Sequence, residues 1–531
     1  MDNSAAKSLK MGNMPVGKLL FVMSGPAILS MLVQSLYNVV DSIFVAKVNG
    51  SATAALSLAF PMQMLIMAFA FGIGVGSNSA ISRKLGEGKP EEASKTAQTG
   101  IILSLIVAAF FAIFGYFISK LFVSAYINTG DYENSALVMK YGVEYLSIVV
   151  CASFGMYIEI FASRVLQATG NMTIPMCSQL IGAITNIILD PILIFGYLGF
   201  PRMEVMGAAI ATVIGQIAAM TFSLIMLKKQ THDIHVFPHK GFRLQKQYVT
   251  EILKVGIPVT ILNSVSSVTV AALNAILNAF GDVAISVLGI YFKLQSFVFM
   301  PVFGLCQGAL PIMGYNFGAN RKDRFNKVFR LSIIVACVIM VLGLLIFQLL
   351  PEQLLSLFKP DEATDGSDYY ARLVETGTVA FRIISISFIP AAFCIVMINM
   401  FQSLGKGVVS MLMSLFRQII ILLPAAKILT DIYGLNATWW SYPVGEIVTI
   451  LVFLPYSIIC INKMFSSITN RETARTQAED NTLSGGAAVQ AQVFEDFGRE
   501  SESKTDEVAK NVSPAQSETA GTESDKEDNR D

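Results

Sequence analysis

Two carboxylates stand in stretches of this sequence that are otherwise apolar: Asp41 in QSLYNVVDSIF and Asp190 in TNIILDPILIF. A charged side chain at membrane depth costs about 2.5–3.5 kcal/mol on insertion scales, so each is a functional candidate by default. On a helix, Gln34, Asn38 and Asp41 fall at i, i+4 and i+7, one stripe on one face. Asn186 and Asp190 are i and i+4, with Thr185 beside them, and the segment GAAIAT adds Thr212 one turn after Ala208. Gln34, Tyr37 and Asn38 are candidates to line a substrate cleft. Pro191 directly follows Asp190, and Pro26 lies in the segment that carries Asp41. A proline inside a helix frees a carbonyl, so a bend is expected at each.

Two chemistries suit this set. Burial and a like-charged neighbour let one of two carboxylates hold a proton near neutral pH. The same oxygens of Asp41 and Asp190, with Asn186, Thr212 and a backbone carbonyl, could instead ligate a hard cation such as sodium. The residues predict a cation site and leave proton and sodium both open. A third use, fixing helix packing through hydrogen bonds, needs no ion at all.

The elements that position these groups are membrane spans. Hydrophobic residues make up 53% of the 531 positions and charged residues 14%, against about 25% charged in soluble domains. The mean hydropathy is +0.59. A hydrocarbon core needs about 20 helical residues to cross. Segments that meet this run roughly 18–45, 53–82, 97–122, 136–165, 174–198, 206–227, 249–279, 284–314, 328–350, 374–403, 408–430 and 438–462, twelve in all. The predicted fold class is an all-α integral membrane protein.

Lysine and arginine set the orientation. Alternate connectors carry Arg83, Lys84, Lys89 and Lys95, then Arg164, then Lys228, Lys229, Lys240, Arg243 and Lys246, then Arg321, Lys322, Arg324 and Lys327, then Lys406. Those on the other side hold little beyond Lys47, Lys120, Arg202 and Lys359. Both termini are therefore expected in the cytoplasm. The N-terminal stretch MDNSAAKSLKMGNMPVGK reads as a cytoplasmic end and not as a signal peptide. The polar stretch from about Ser466 reads as a disordered tail. Zero net charge gives no argument for nucleic acid. The six cysteines are scattered singly, with no C-x-x-C pair, and read as small hydrophobes.

The spacing contains a repeat. Pro26 and Pro258 lie 232 apart (258 − 26), as do Gly72 and Gly304, Gly76 and Gly308, and Gly86 and Gly318. QATGN at 167–171 faces QSLGK at 402–406, and VIGQ at 213–216 faces PVGE at 443–446. The expected organisation is a segment 1–17, an N-lobe 18–228, a linker 229–248, a C-lobe 249–463 and a tail 464–531. Six spans per half is an even number, so both halves keep one orientation and are related by an axis along the membrane normal. At the same shifts Asp41 and Asp190 face apolar residues, so the acids are not demanded by the fold.

Other charges within the spans read differently. Glu159 and Arg164 could pair or snorkel. Arg417 and Glu446 could form a buried structural pair. Lys293, Arg382 and Lys427 have no assigned role.

SGPAILSMLVQSLYNVVDSIFVAKVNGSATAALSLAFP, GIGVGSNSAISRKLGEGK, QATGN and NIILDPILIFGYLG…GAAIATVIGQ resemble, in order and spacing, the MATE family of multidrug and toxic compound extrusion transporters. The resemblance runs from about Gly17 to Lys463 and is nearest to the DinF-like branch and its MepA-like members. It implies two pseudo-symmetric six-helix lobes around a V-shaped cleft, and export of organic cations in exchange for protons or sodium. It also implies a coupling site at Asp41, Asn186, Asp190 and Thr212. The NorM-like branch uses acids in helices seven and eight; apart from Glu251 at its start the seventh span here has none before Asp282 at its far end, and the eighth has Lys293 instead. The resemblance implies a monomer in the inner (plasma) membrane, no enzymatic activity and no cofactor beyond the coupling ion.

Three other function classes compete with this reading. A flippase for lipid-linked saccharides would want a strongly cationic cleft to hold a pyrophosphate. A prenyl transferase would want paired D-x-x-D motifs, which DEATD at 361–365 fits only loosely. A passive channel does not need a two-lobed repeat.

Overall fold

Backbone groups in hydrocarbon have no water to bond, so apolar runs of this length are driven into helices. In a computed structural model, residues 11–46, 48, 50–127, 135–230, 234–237, 243–358, 367–467 and 469–470 are described, and the regular elements among them are all helical. The spans are α1 (Val16–Ala46), α2 (Gly50–Gly86), α3 (Pro90–Ile127), α4 (Ser135–Cys151 and Phe154–Ala168), α5 (Thr173–Phe195) and α6 (Glu204–Gln230). The second half holds α7 (Lys246–Leu277), α8 (Asp282–Gly318), α9 (Lys322–Leu349), α10 (Ser367–Ser385 and Phe388–Ser403), α11 (Gly407–Tyr433) and α12 (Leu435–Ser467). Ten of these are single helices long and apolar enough to cross a membrane, and the two bent pairs bring the number to twelve.

The bends fall at equivalent places. α4 turns by 46° and α10 by 50°, and Ser153 and Ser387, which open the second segment of each, are 234 positions apart (387 − 153). Pro26 and Pro191 lie inside α1 and α5, which continue as helices through them. α12 carries one further turn past its apolar segment, into residues expected to begin the tail. The remainder of the tail, 471–531, lies outside the described residues. Contacts divide the chain into Met1–Asn462 and Lys463–Asp531, and the described part of the second unit is helical.

The repeat seen in the spacing is a repeat of contacts. Between halves, α1 packs on α8 and α7 packs on α2, pairs that exchange under the internal two-fold, while α2 and α8 meet at its centre. In a membrane the driving force between helices is close packing, which small residues permit. A Cβ built on Gly76 would stand 3.2 Å from the Gly256 nitrogen, and one on Gly308 would stand 2.8 Å from the Ser24 nitrogen, the same contact shifted by 232 (308 − 76 and 256 − 24). Val75, Val255, Val259 and Leu310 form a small buried cluster on this seam.

The seam is tightest where the basic residues are. Arg83 donates to the Ser403 carbonyl at 3.2 Å, Lys84 reaches Glu251 at 3.6 Å, and Ser79 donates to the Gln402 carbonyl. On the equivalent side of the C-half, Arg321 donates to the Gly12 carbonyl at 2.6 Å and Arg324 to the Met14 carbonyl at 2.7 Å. Further along, Ser24 donates to the Leu305 carbonyl at 3.1 Å, Thr260 to the Ala68 carbonyl at 3.2 Å, and Gln307 meets Met31. These ties run along the seam as far as Met31 and Ala68.

Candidate cation site

The site is built on the closest helix pair of the N-half. α5 and α6 approach through glycine: a Cβ on Gly215 would stand 2.8 Å from the Gly182 carbonyl oxygen and 3.4 Å from the Asn186 Cβ. On Gly207 it would meet the Leu193 backbone at 2.6 Å. Backbones this close leave no room for apolar side chains between them, so the face of α5 that meets α6 can hold a short polar network.

Asn186 is the hub of that network. With its carbonyl turned away from the carboxylate, its amide nitrogen donates to Asp190 Oδ2 at 2.8 Å. Its carbonyl oxygen then accepts from the Thr212 nitrogen at 3.0 Å and the Thr212 Oγ1 at 3.2 Å. The opposite amide orientation would set a carbonyl against a carboxylate, which is repulsive. Asp190 is fully buried and Asn186 nearly so. The structure thus brings together three of the four residues the sequence nominated.

The fourth is placed by register. The side chains of Tyr37, Asn38 and Asp41 lie outside the described residues, although helix α1 runs through all three. Ser30 on α1 donates to the Gln179 side-chain oxygen on α5. The three helices between α1 and α5 make the two run parallel. Asp41 is eleven residues beyond Ser30 (41 − 30), and Asp190 is eleven beyond Gln179 (190 − 179). At 1.5 Å per residue the backbone positions of Asp41 and Asp190 both come about 16 Å along from the same tie, at one level. Gln34 is half-buried one turn beyond Ser30. Ser30 and Gln179 were missed in the sequence, where neither differs from an ordinary helix residue.

Oxygen donors and one buried carboxylate are suited to a proton or a hard cation, and offer little to a soft metal. A second buried polar cluster lies nearer the basic ends. Glu159 accepts from Ser163 at 2.7 Å and Ser178 at 3.1 Å. Arg164 donates to Gln167 at 3.0 Å and covers the Phe71 ring at 5.4 Å. The two bond separate partners and are buried, so neither snorkels. In the C-half, Lys293 lies over the Phe358 ring at 5.8 Å, and Arg417 pairs with Glu446 at 2.9 Å.

Comparison with known proteins agrees with this architecture. A family model described as MatE matches residues 26–192 and again 258–426, whose starts differ by 232 (258 − 26). The multidrug export protein MepA of Staphylococcus aureus strain N315 is 30% identical over 438 residues, covering 81% of this chain and 91% of that protein. Among solved structures, an outward-facing multidrug resistance MATE family transporter of the MOP superfamily superposes with a TM-score of 0.78 at 24% identity, over 86% of this chain and 98% of that one. A MOP superfamily transporter from Pyrococcus furiosus gives 0.78 at 23% identity, with the same coverage. At this identity the solved structures speak to fold.

Proposed function

Because the chain belongs to the MATE family of multidrug efflux transporters, we propose that it exports organic cations in exchange for protons or sodium. The observation that carries this reading is the buried trio Asn186, Asp190 and Thr212, level by register with Asp41. A cation held there neutralises carboxylate charge and favours one arrangement of the lobes; a cationic drug in the cleft favours the other. Each ligand shifts the equilibrium only by its differential affinity for the two arrangements, which couples them reciprocally. The halves part where the seam ends, and alternating access consists of closing that end while the basic ends separate.

Gln34, Tyr37 and Asn38 line the drug path, with Asp41, Asn186, Asp190 and Thr212 holding the coupling ion. The lobes correspond to 18–228 and 249–463, joined by 229–248, with both termini in the cytoplasm and the chain acting as a monomer in the plasma membrane.

Expression in bacterial cells stripped of their own exporters tests the direction of transport. Cells making the protein should retain less ethidium than cells making Asp190→Asn at equal membrane abundance. Equal retention in the two would overturn the reading.

A further inference from the structure

The C-half carries a polar cluster that the exporter reading does not use. Arg417 on α11 and Glu446 on α12 form an ion pair at 2.9 Å, with side chains only 17% and 13% exposed. One valence of each is left over: Arg417 Nε and Glu446 Oε2 are buried without a partner. So are the hydroxyls of Tyr291 on α8 and Tyr442 on α12. The two tyrosine rings are 5.8 Å apart, and Tyr291, fully buried, lies within electrostatic range of Tyr442 and Glu446. More than nine in ten buried polar groups find partners, so four loose ends around one carboxylate call for an explanation.

The backbone under Arg417 is also unusual. Residues Phe416–Leu422 form a π-helical turn inside α11, a rare geometry that is frequent at functional positions. Its place in the repeat is informative. Gly445 packs against the Arg417 carbonyl at 3.4 Å and the Leu422 Cβ at 3.3 Å, just as Gly215 packs against Gly182 and Asn186. The shift is 235 from Gly182 to Arg417 (417 − 182) and 236 from Asn186 to Leu422 (422 − 186). The extra residue is taken up by the π-turn. By these shifts the Arg417–Glu446 pair matches Gly182 and Gln216, in the C-half copy of the α5–α6 contact, one turn short of the position of Asn186 and two short of that of Asp190.

We propose that Glu446 is a second carboxylate that takes up and releases a proton, exchanging its Arg417 partner for that proton as the π-turn rewinds. This rests on the exporter reading for its purpose and on the C-half geometry for its location. The groups facing Glu446 are Arg417 from α11, Tyr442 from its own helix, Tyr291 from α8 and the Cys394 thiol of α10, whose sulfur is 3.9 Å from the Glu446 carbonyl. A proton arriving from the cleft forms an O–H bond on Oε2, and no other bond breaks except the salt bridge. The site then gains one positive charge, which opposes a cationic drug nearby. That antagonism is what exchange requires.

Infrared difference spectra of the purified full chain in lipid nanodiscs, acid against alkaline, test this. The wild type should show a protonated-carboxyl band that is lost in Glu446→Gln, shifted in Glu446→Asp and retained in Asp190→Asn. A band unchanged in both Glu446 variants would overturn the proposal. Ethidium export in the same wild type separates the two readings: normal export without a Glu446-sensitive band sinks only the C-half site, and a Glu446-sensitive band without export sinks only the exporter.

Discussion

Gly86 and Tyr315 meet across the lobes so closely that a Cβ on the glycine would stand 2.9 Å from the tyrosine carbonyl carbon, and Gly318 and Arg83 repeat the contact at 2.9 Å. Each member is 232 positions from its counterpart (318 − 86 and 315 − 83). The basic ends are thus closed by two copies of one backbone contact, and any conformation that opens them must break both.

Substituting Gly318 by Ala should loosen that closure. Forcing a methyl group into a packed contact costs about 1–3 kcal/mol. Spin labels on the exposed Lys89 and Lys322 should report a longer distance in Gly318→Ala than in the wild type. An unchanged distance distribution would mean that the contact does not hold the ends together.

The Lys84–Glu251 pair crosses the same seam at 3.6 Å, with Glu251 about a third exposed. Pairs of this exposure contribute about 0–1 kcal/mol. Glu251→Gln should therefore shift the Lys89–Lys322 distance in the same direction as Gly318→Ala but by less, and added salt should reduce the difference from wild type.

At the cation site, Asn186→Ala removes the donor to Asp190 and the acceptor for Thr212 together. A buried polar group left without its partner costs about 1–3 kcal/mol, so coupling-ion affinity should fall about tenfold or more. Thr212→Ser keeps the hydroxyl and should stay near wild type, whereas Thr212→Val should be impaired. Titrating ion-dependent transport in the three variants checks the order. Equal behaviour of Thr212→Ser and Thr212→Val would remove Thr212 from the site.

Much of this was legible in the sequence, for identifiable reasons. Apolar length gave the twelve spans because helix is the only open-chain answer in hydrocarbon. The glycine shift of 232 gave the two halves because close backbone approach tolerates no side chain, so the same positions recur. Asn186 and Asp190 could be put on one helix face by their i, i+4 spacing, whereas Thr212, on a different helix, was nominated by its polar segment and by the family resemblance. Ser30 and Gln179 were not legible, since a tie between helices leaves no periodic mark. The π-turn at Phe416–Leu422 was hidden too, because one inserted residue changes no hydropathy pattern. The sharp breaks in α4 and α10 come at Ser153 and Ser387: no proline stands near the first, whereas Pro390, in the first turn after the second, has no N–H for the Ile386 carbonyl.

Gly215→Ala provides a positional test of the α5–α6 contact. Its methyl group would stand 2.8 Å from the Gly182 carbonyl oxygen, pushing Asn186 away from Thr212. Transport should drop with little loss of membrane abundance, and Gly182→Ala should not rescue it.

The central claim is that the N-half carboxylate site couples an ion to export. Its most direct test uses purified protein in liposomes, with accumulation of a fluorescent organic cation followed under an imposed sodium gradient and then a pH gradient. The account predicts accumulation driven by at least one gradient in the wild type, and none in Asp41→Asn or Asp190→Asn. Accumulation in either variant at the wild-type rate would contradict it.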